Sequence, residues 1–150
     1  MSSTDWENHQ TLFSSLTGGQ TVIDWFGFCP TFHDASLERL EIANGNVLLA
    51  IHAFRMTDEL DKHGRFICDR HAIVTLRMRG VSGITLYGSA GSIIFDLKIR
   101  RLPSDEAATN WKTCAAPVKG DIEVTFDTSM GLYGTIYTKE LGFGLQPIPK

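Results

Sequence analysis

Apolar and polar residues alternate along the middle of the chain, and this pattern predicts β-strands. The clearest alternation runs from residue 71 to residue 79, where every second side chain is apolar; the apolar positions are Ala72, Val74, Leu76 and Met78. A period of two places these side chains on one face of a strand and leaves Thr75, Arg77 and Arg79 on the other. We therefore predict a strand with one face on the core and one face in water.

A hairpin precedes this strand, with its turn at Asn44-Gly45. The turn lies between two apolar runs, and an Asn-Gly centre is a strong hairpin signal because both residues tolerate positive φ. In the first run, 35–42, the alternation is broken once, which predicts a bulge near residues 38–39. The second run, 47–56, is apolar at nearly every position, so we expect it to be covered on both faces, with His52 as a hydrogen-bonded core residue.

Further strands are predicted at residues 84–87, 92–101, 121–127 and 133–145. Five apolar residues mark a buried strand around 92–101; they are Ile94, Phe95, Leu97, Ile99 and Leu102. Gly80 and Gly83 are expected to bracket one tight turn, and residues 88–91 to form another. Residues 103–120 are rich in proline and small polar residues, and we predict a surface loop anchored by Trp111.

Helical spacing is confined to the N-terminal region. Residues 2–5 offer N-cap side chains, residues 18–19 are a Gly-Gly stop, and one apolar stripe lies between them: Trp6, Leu12, Phe13 and Leu16. A second short helix is predicted to run from Thr21, its cap, to Phe26, although its β-branched residues also suit a strand. The aromatic residues expected to fill one end of the core are Trp25, Phe26, Phe28 and Phe32. The predicted fold class is α+β, a mostly antiparallel β-sheet with one or two short N-terminal helices packed on it.

Length and charge narrow the class of protein. The chain has 150 residues, which is the size of a single domain spanning 1–150. Its net charge is −3, which argues against nucleic acid as a partner. We find no apolar run near the ~18 residues that a membrane span requires, so no membrane partner is expected. The first 20 residues are polar and include Asp5 and Glu7, which does not resemble a signal peptide, so a cytoplasmic location is predicted.

The candidate ligand residues do not fall into a known spacing. The three cysteines, Cys29, Cys68 and Cys114, are expected to be reduced thiols, because they are odd in number and widely spaced. A metal site would have to draw on His33, Asp34, His52, His63, Asp69 and His71, and no spacing among them matches a ligand motif. A calcium loop aligned on Gly64 would place Arg70 where a bidentate carboxylate is needed. No cofactor, metal ligand or catalytic residue is therefore predicted.

Residues 57–65 form a polar stretch after the second hairpin strand. Three acidic side chains lie in it: Asp58, Glu59 and Asp61. We expect either a solvated loop or an acidic surface that binds a partner protein. Such a surface would suit a basic partner, because opposite charges accelerate association.

A combination of short motifs resembles the bacterial immunity-protein family numbered 50. It consists of Pro-Thr-Phe-His-Asp-Ala at 30–35, Phe-Arg-Met-Thr-Asp-Glu at 54–59, then Asp61, Gly64 and His71, with Gly-Val at 80–81. This similarity spans about residues 25–100. Family members are assigned to polymorphic toxin systems, so the resemblance implies a protein-binding module that neutralises a cognate toxin. This chain differs from the family pattern at position 29, where it has a Cys and family members usually have a Trp.

The resemblance gives Phe32, His33, Asp34 and His71 the role of a structural motif. We expect His33 and Asp34 to hydrogen-bond backbone groups of the neighbouring turn and so to hold the first strand. Adjacent strand residues face opposite ways, so this pair is not expected to act as a dyad on one substrate. Two alternatives stay open: a homo-oligomeric structural domain, such as a homodimer, and a metal-dependent hydrolase using His33, Asp34 and His71.

Overall fold

The computed structural model describes residues 3–105 and 117–149, with side chains described from residue 8 onward. Within these ranges the chain forms two helices followed by six strands. They are α1 (Ser3–Ser15), α2 (Gly19–Phe26), β1 (Ser36–Ala43), β2 (Asn46–Leu60), β3 (Phe66–Tyr87), β4 (Ile94–Arg101), β5 (Ile122–Thr128) and β6 (Tyr133–Pro147). The predicted α+β class is confirmed. Predictions that fell on Trp111, on Cys114 and on the Trp6 side chain lie outside the described residues.

All strand pairs are antiparallel, in the order β1-β2-β3-β6-β5-β4. The two outermost strands meet at one end, where the Leu37 N–H donates to the Ser92 carbonyl (2.7 Å) and the Ile94 N–H donates to the Ala35 carbonyl (2.7 Å). The sheet therefore curls until β1 touches the start of β4. This closure satisfies backbone groups that an open sheet would leave exposed at its edges.

Both helices pack on the inner face of the curled sheet. The Phe13 ring of α1 stacks on Phe143 of β6, with 4.1 Å between ring centroids. Phe26 and Phe32 are also buried, as predicted, but Phe28 is 47% exposed. The prediction for Phe28 was wrong because the chain leaves α2 through Gly27 (φ 83) and carries the next side chain to the surface. Neither described helix is long and apolar enough to cross a membrane.

The sequence signals near the N-terminus predicted that the two helices are present, but they did not predict where α2 begins. Helix α1 was expected and is present. Helix α2 starts at Gly19 and is preceded by Gly18 in the left-handed region (φ 79), so the predicted cap at Thr21 was wrong. A side chain at Gly18 would place its Cβ against the Phe143 backbone, which explains why glycine occupies the link between the helices.

The β1–β2 hairpin matches its sequence signals. Asn44 (φ 54) and Gly45 (φ 78) both lie in the left-handed region that such a two-residue turn demands. The pairing register shifts between Leu37 and Arg39, which confirms the bulge. The expectation that β2 is covered on both faces was wrong, because only every second residue from 47 to 53 belongs to the hydrophobic core. His52 therefore keeps 36% of its side chain exposed, although its ring is hydrogen-bonded as expected.

Strand β3 is longer than predicted. Its inner residues are at most 1% exposed, as the alternation indicated: Ala72, Val74, Leu76 and Met78. The predicted turn between Gly80 and Gly83 was wrong, since β3 runs on to Tyr87 with only a bulge between Val81 and Gly83. The reason is that β6 pairs with β3 on both sides of this point, which makes an extended path more favourable than a turn.

Strand β4 alternates rather than being buried throughout. Four of the five predicted core positions are at most 3% exposed: Ile94, Leu97, Ile99 and Leu102. Phe95 is 57% exposed, so its predicted burial was wrong. The register shift between Ile94 and Asp96 turns the Phe95 side chain away from the core. Strands β5 and β6 form the predicted final pair.

Candidate partner-binding site

Strands β2 and β3 extend beyond the rest of the sheet as a two-stranded β-arm, residues 56–68. Strand β1 pairs with β2 only as far as His52, and β6 pairs with β3 only from Ala72 onward. Past these points, among the residues that the structure describes, β2 and β3 pair only with each other, with Leu60 opposite Phe66. The expected loop over 57–65 is thus shorter, because residues 57–60 remain in β2; the tip turn is 61–65.

Polar contacts hold the β-arm at its base and tip. At the base, Arg55 makes a two-pronged ion pair with Asp69, with Nε–Oδ1 at 2.8 Å and Nη2–Oδ2 at 2.7 Å. Hydrogen bonding to Asp69 raises the pKa of the Arg55 guanidinium. At the tip, Asp61 Oδ1 accepts from the backbone N–H groups of His63 (2.8 Å) and Arg65 (3.0 Å). The conformation of the β-arm is therefore defined without cover from the rest of the protein.

The surface of the β-arm combines exposed apolar and acidic side chains. Every residue from 58 to 67 is exposed. The large apolar side chains and their exposed fractions are Met56 (51%), Leu60 (57%), Phe66 (55%) and Ile67 (38%). Of the three predicted partner-binding acids, Asp61 serves the tip turn, whereas the carboxylates of Asp58 and Glu59 bind no other described residue. Exposed large apolar side chains in one small region are typical of surfaces that bind a partner.

A cleft of about 220 Å³ lies where the β-arm joins the body. Its lining includes Phe28, Phe32, His33, Asp34, Phe54 and Met56. The two motif segments, 30–35 and 54–56, are therefore brought together in space. Phe28 and Met56 are about half exposed at this cleft, so its apolar lining is continuous with the β-arm.

His33 and Asp34 occupy a turn before β1. Their side chains approach each other, with His33 Nε2 3.5 Å from Asp34 Oδ2. The expectation of opposite orientations was wrong, because the pair precedes the strand and Asp34 has a φ of 65°. His33 Nδ1 lies 2.7 Å from the Phe95 carbonyl, and the Asp34 N–H donates to the Ile94 carbonyl (2.8 Å). The backbone that the pair contacts thus belongs to β4 and not to the neighbouring turn.

The side chain of His71 contacts that of His52. Its Nδ1 is 3.1 Å from His52 Nε2, and its ring centroid is 5.8 Å from that of Phe54. Phe54 therefore separates this pair from the cleft that it also lines. Among residues 8–105 and 117–149, no group of three or more His, Cys, Asp or Glu side chains is arranged to hold a metal ion.

The described cysteines are free thiols. Cys29 is buried, and this burial raises the pKa of its thiol to about 11. Cys68, on the β-arm, is partly exposed; burial, with added repulsion from Asp69 and Asp34, raises its thiol pKa as well. Neither thiol is activated as a nucleophile, since activation requires a lowered pKa.

His9 is a structural residue that the sequence interpretation missed. It is fully buried, with Nε2 3.1 Å from the Pro30 carbonyl, and the Ile99 N–H donates to its Nδ1 (3.0 Å). The ring therefore carries its proton on Nε2 and joins the cleft loop to β4. Desolvation lowers the pKa of His9. One feature of the sequence could have predicted its burial: His9 lies three residues before Leu12, on the apolar stripe of α1.

Comparisons of the chain with protein-family models, with curated proteins and with solved structures found no match. The resemblance to the immunity-protein family therefore stays a prediction.

Proposed function

We propose that this protein is a non-catalytic protein-binding module whose recognition surface is the β-arm together with the cleft at its base. One observation carries this proposal: a strand pair that has no lateral neighbour among the described strands exposes four large apolar side chains. An isolated two-stranded ribbon is marginally stable in water and gains stability when its apolar side chains are covered. A partner protein that covers the β-arm would provide this stabilisation.

The geometry of the β-arm suits protein recognition in two ways. Its strands have free outer edges, so a partner strand is able to pair with backbone groups there. Leu60 and Phe66 lie opposite each other and offer an apolar anchor of the type that contributes most binding energy. Asp58 and Glu59 add negative charge beside this anchor, which favours a partner with a basic binding surface.

The partner that we propose is a cognate bacterial toxin protein, as the family resemblance implies. The motif segments that carry the resemblance, 30–35 and 54–59, line the cleft and form the start of the β-arm. The proposed site of action is the cytoplasm, where free thiols such as Cys29 and Cys68 persist.

The decisive experiment is calorimetric titration of this protein with a purified candidate toxin domain. Phe66→Ser is compared with Tyr87→Ser, because the two aromatic side chains are 55% and 56% exposed and lie at opposite ends of β3, but only Phe66 lies on the β-arm. We expect Phe66→Ser to weaken binding by about tenfold or more, as for an interface anchor, and Tyr87→Ser by less than about twofold. Equal losses in both variants would contradict the proposal.

Charge reversal tests the acidic part of the surface. Glu59→Lys is expected to slow association and to reduce its dependence on salt, while Asp127→Lys, an exposed acid on β5, makes the same charge change away from the β-arm. An association rate that depends on both substitutions equally would show that only the net charge matters.

The free edges of the β-arm also favour pairing with a second copy of this chain, the homodimer alternative. Light scattering of the wild type and of Phe66→Ser distinguishes the two functions. We expect a monomer in both cases. A dimer that dissociates in Phe66→Ser would assign the β-arm to self-association and overturn the toxin-binding proposal.

A further inference from the structure

A second surface feature is a groove of about 500 Å³ that involves the opposite half of β3. Arg77 lies ten residues beyond Ile67, which corresponds to ~33 Å along an extended strand. The groove forms where β5 stops pairing with β6, opposite Thr138. There the link between the helices crosses the free edge of β6, and the Phe143 N–H donates to the Thr17 carbonyl (2.7 Å).

The groove is basic although the protein is acidic. Among the described residues that line it, four are cationic and one, Glu140, is acidic; the cations are Arg77, Arg79, Arg101 and Lys139. This concentration of positive charge in a chain of net charge −3 produces a local field of the opposite sign to the molecule as a whole. The guanidinium groups of Arg77 and Arg79 make no hydrogen bond or ion pair with any described residue.

The strand register explains why the guanidinium group of Arg77 stays unpaired, because Arg77 is opposite Gly142, which has no side chain. It does not explain Arg79, which is opposite Glu140 and still forms no ion pair with it. Both arginines project from the wet face of β3, two residues apart, and so lie ~7 Å from each other along the strand.

The other two cations are held by the protein. Lys139 Nζ lies 2.7 Å and 2.9 Å from the two carboxylate oxygens of Asp121. Burial opposes ionisation of Asp121, but hydrogen bonds from Lys139, the Val118 N–H and Ser82 outweigh it and lower the carboxyl pKa. The charged Asp121 thereby fixes the Lys139 ammonium in the lining. Arg101 is oriented by donating from Nη1 to the Gly120 carbonyl (3.1 Å).

We infer that this groove binds a small molecule bearing two or more phosphate groups, with Arg77 and Arg79 as its principal ligands. The planar guanidinium fork matches phosphate oxygens, and each arginine has all its donors available. The groove volume lies in the range of ~300–1,000 Å³ that is usual for small-ligand sites. A short anion meets only the local positive charge, whereas a long polyanion would extend over the acidic remainder of the surface.

The probe for this site is inorganic tripolyphosphate, titrated calorimetrically against the full chain. The test variants are Arg77→Gln, Arg79→Gln and the double variant that carries both, and the control that matches each single substitution in charge is Arg65→Gln, an exposed arginine on the β-arm. We expect saturable binding by the wild type, an affinity that falls with rising salt, and a loss of about tenfold or more in the double variant, consistent with two lost charge-assisted contacts. Arg65→Gln should bind like the wild type. Thermal midpoints within ~2 °C of the wild type will show that the exposed substitutions leave the fold intact.

Several results would overturn the inference. They are no saturable binding of tripolyphosphate by the wild type, equal binding by the double variant, or an equal loss in Arg65→Gln. Tighter binding of a single-stranded oligonucleotide, or of a glutamate peptide of the same charge, would assign the groove to another class of ligand. Phe66→Ser should bind tripolyphosphate normally, so this inference and the proposed function succeed or fail separately.

Discussion

Strands β2 and β3 pass through two different environments. In the body they contribute to the hydrophobic core, and residues such as Ile51 and Val74 are fully buried. In the β-arm the same two strands pair with each other and with no other described strand, and Leu60 and Phe66 are more than half exposed. The comparison shows that strand pairing survives without a core, whereas most of the stabilising burial does not extend into the β-arm. The uncovered half is thus the part of the hairpin that is available to a partner.

Truncating matched leucines should give the largest contrast between the two regions. Leu76→Ala removes a fully buried side chain, and we expect the free energy of unfolding to fall by about 2–5 kcal/mol. Leu60→Ala removes one that is 57% exposed, and we expect a change within ~0.5 kcal/mol. Denaturant unfolding measures both. Similar losses at the two positions would mean that the β-arm is packed against the body.

The buried polar anchor at His9 should give the next largest effect. Replacing it by Ala leaves the Ile99 N–H and the Pro30 carbonyl without partners, at a cost of about 1–3 kcal/mol for an unsatisfied buried group. His63→Ala, at the exposed tip of the β-arm, is the control and should be neutral. Chemical denaturation at neutral pH decides the comparison. Loss of stability in the control but not in His9→Ala would contradict the assignment of His9.

The same residue predicts a dependence on pH. The folded pKa of His9 lies below the ordinary histidine value of 6.5, so the unfolded chain binds the proton more readily. The contribution of neutral His9 is therefore complete above pH 6.5 and is lost as the pH falls from there through the folded pKa. We expect wild type to lose more stability over this window than His9→Gln, which cannot titrate there. Parallel pH profiles of the two proteins would refute this.

Asp121 should show a related dependence at lower pH. Its folded pKa is lowered, so its contribution to stability is present above the ordinary aspartate pKa of 3.8 and is lost as the pH falls through the folded pKa. At neutral pH, Asp121→Asn removes the charge opposite Lys139, and we expect a loss of about 1.5–3 kcal/mol, as for hydrogen bonds to charged groups. Asp58→Asn, on the β-arm, should change nothing. Unfolding curves at pH 7 test both.

The ion pair at the base of the β-arm should have the smallest effect on global stability. Arg55→Ala breaks the contact with Asp69, but both side chains are partly exposed and screened by water. We expect an unchanged thermal midpoint together with faster amide exchange confined to residues 56–68. Arg39→Ala, which breaks the exposed pair with Glu41, should leave exchange in the β-arm unchanged. A global loss of stability in Arg55→Ala would show that the base of the β-arm belongs to the body.

Local signals predicted the features that local physics determines. Positive φ at Asn44 and Gly45 and the alternation of residues 71–79 depend on neighbouring residues, and the sequence predicted both. The sequence did not predict the β-arm, because the polar residues there show no apolar period. The strands of the β-arm are defined instead by backbone pairing and by Asp61 at the tip. The sequence also did not predict that β3 continues through Gly80, since this depends on pairing with β6, more than 50 residues later.

The candidate site was also predicted only in part. The sequence predicted that the acidic residues at 58 and 59 are exposed. It did not predict the exposed apolar side chains beside them, because their exposure depends on where β1 and β6 stop pairing. His33 and Asp34 were expected to contact backbone, yet their partner strand β4 follows about 60 residues later. His9 lies farther still from its partner, Ile99. Long-range contacts of this kind leave almost no signal in a single sequence.

Hydrogen–deuterium exchange, measured on the free protein and after addition of the toxin domain, tests the central claim most directly. In the free protein we expect rapid exchange across residues 58–67 and strong protection across residues 72–78. Addition of the toxin domain should slow exchange in the β-arm and around the cleft, and leave the groove at Arg77 and Arg79 unchanged. Uniform protection along β3 in the free protein, or no added protection in the β-arm, would contradict the account.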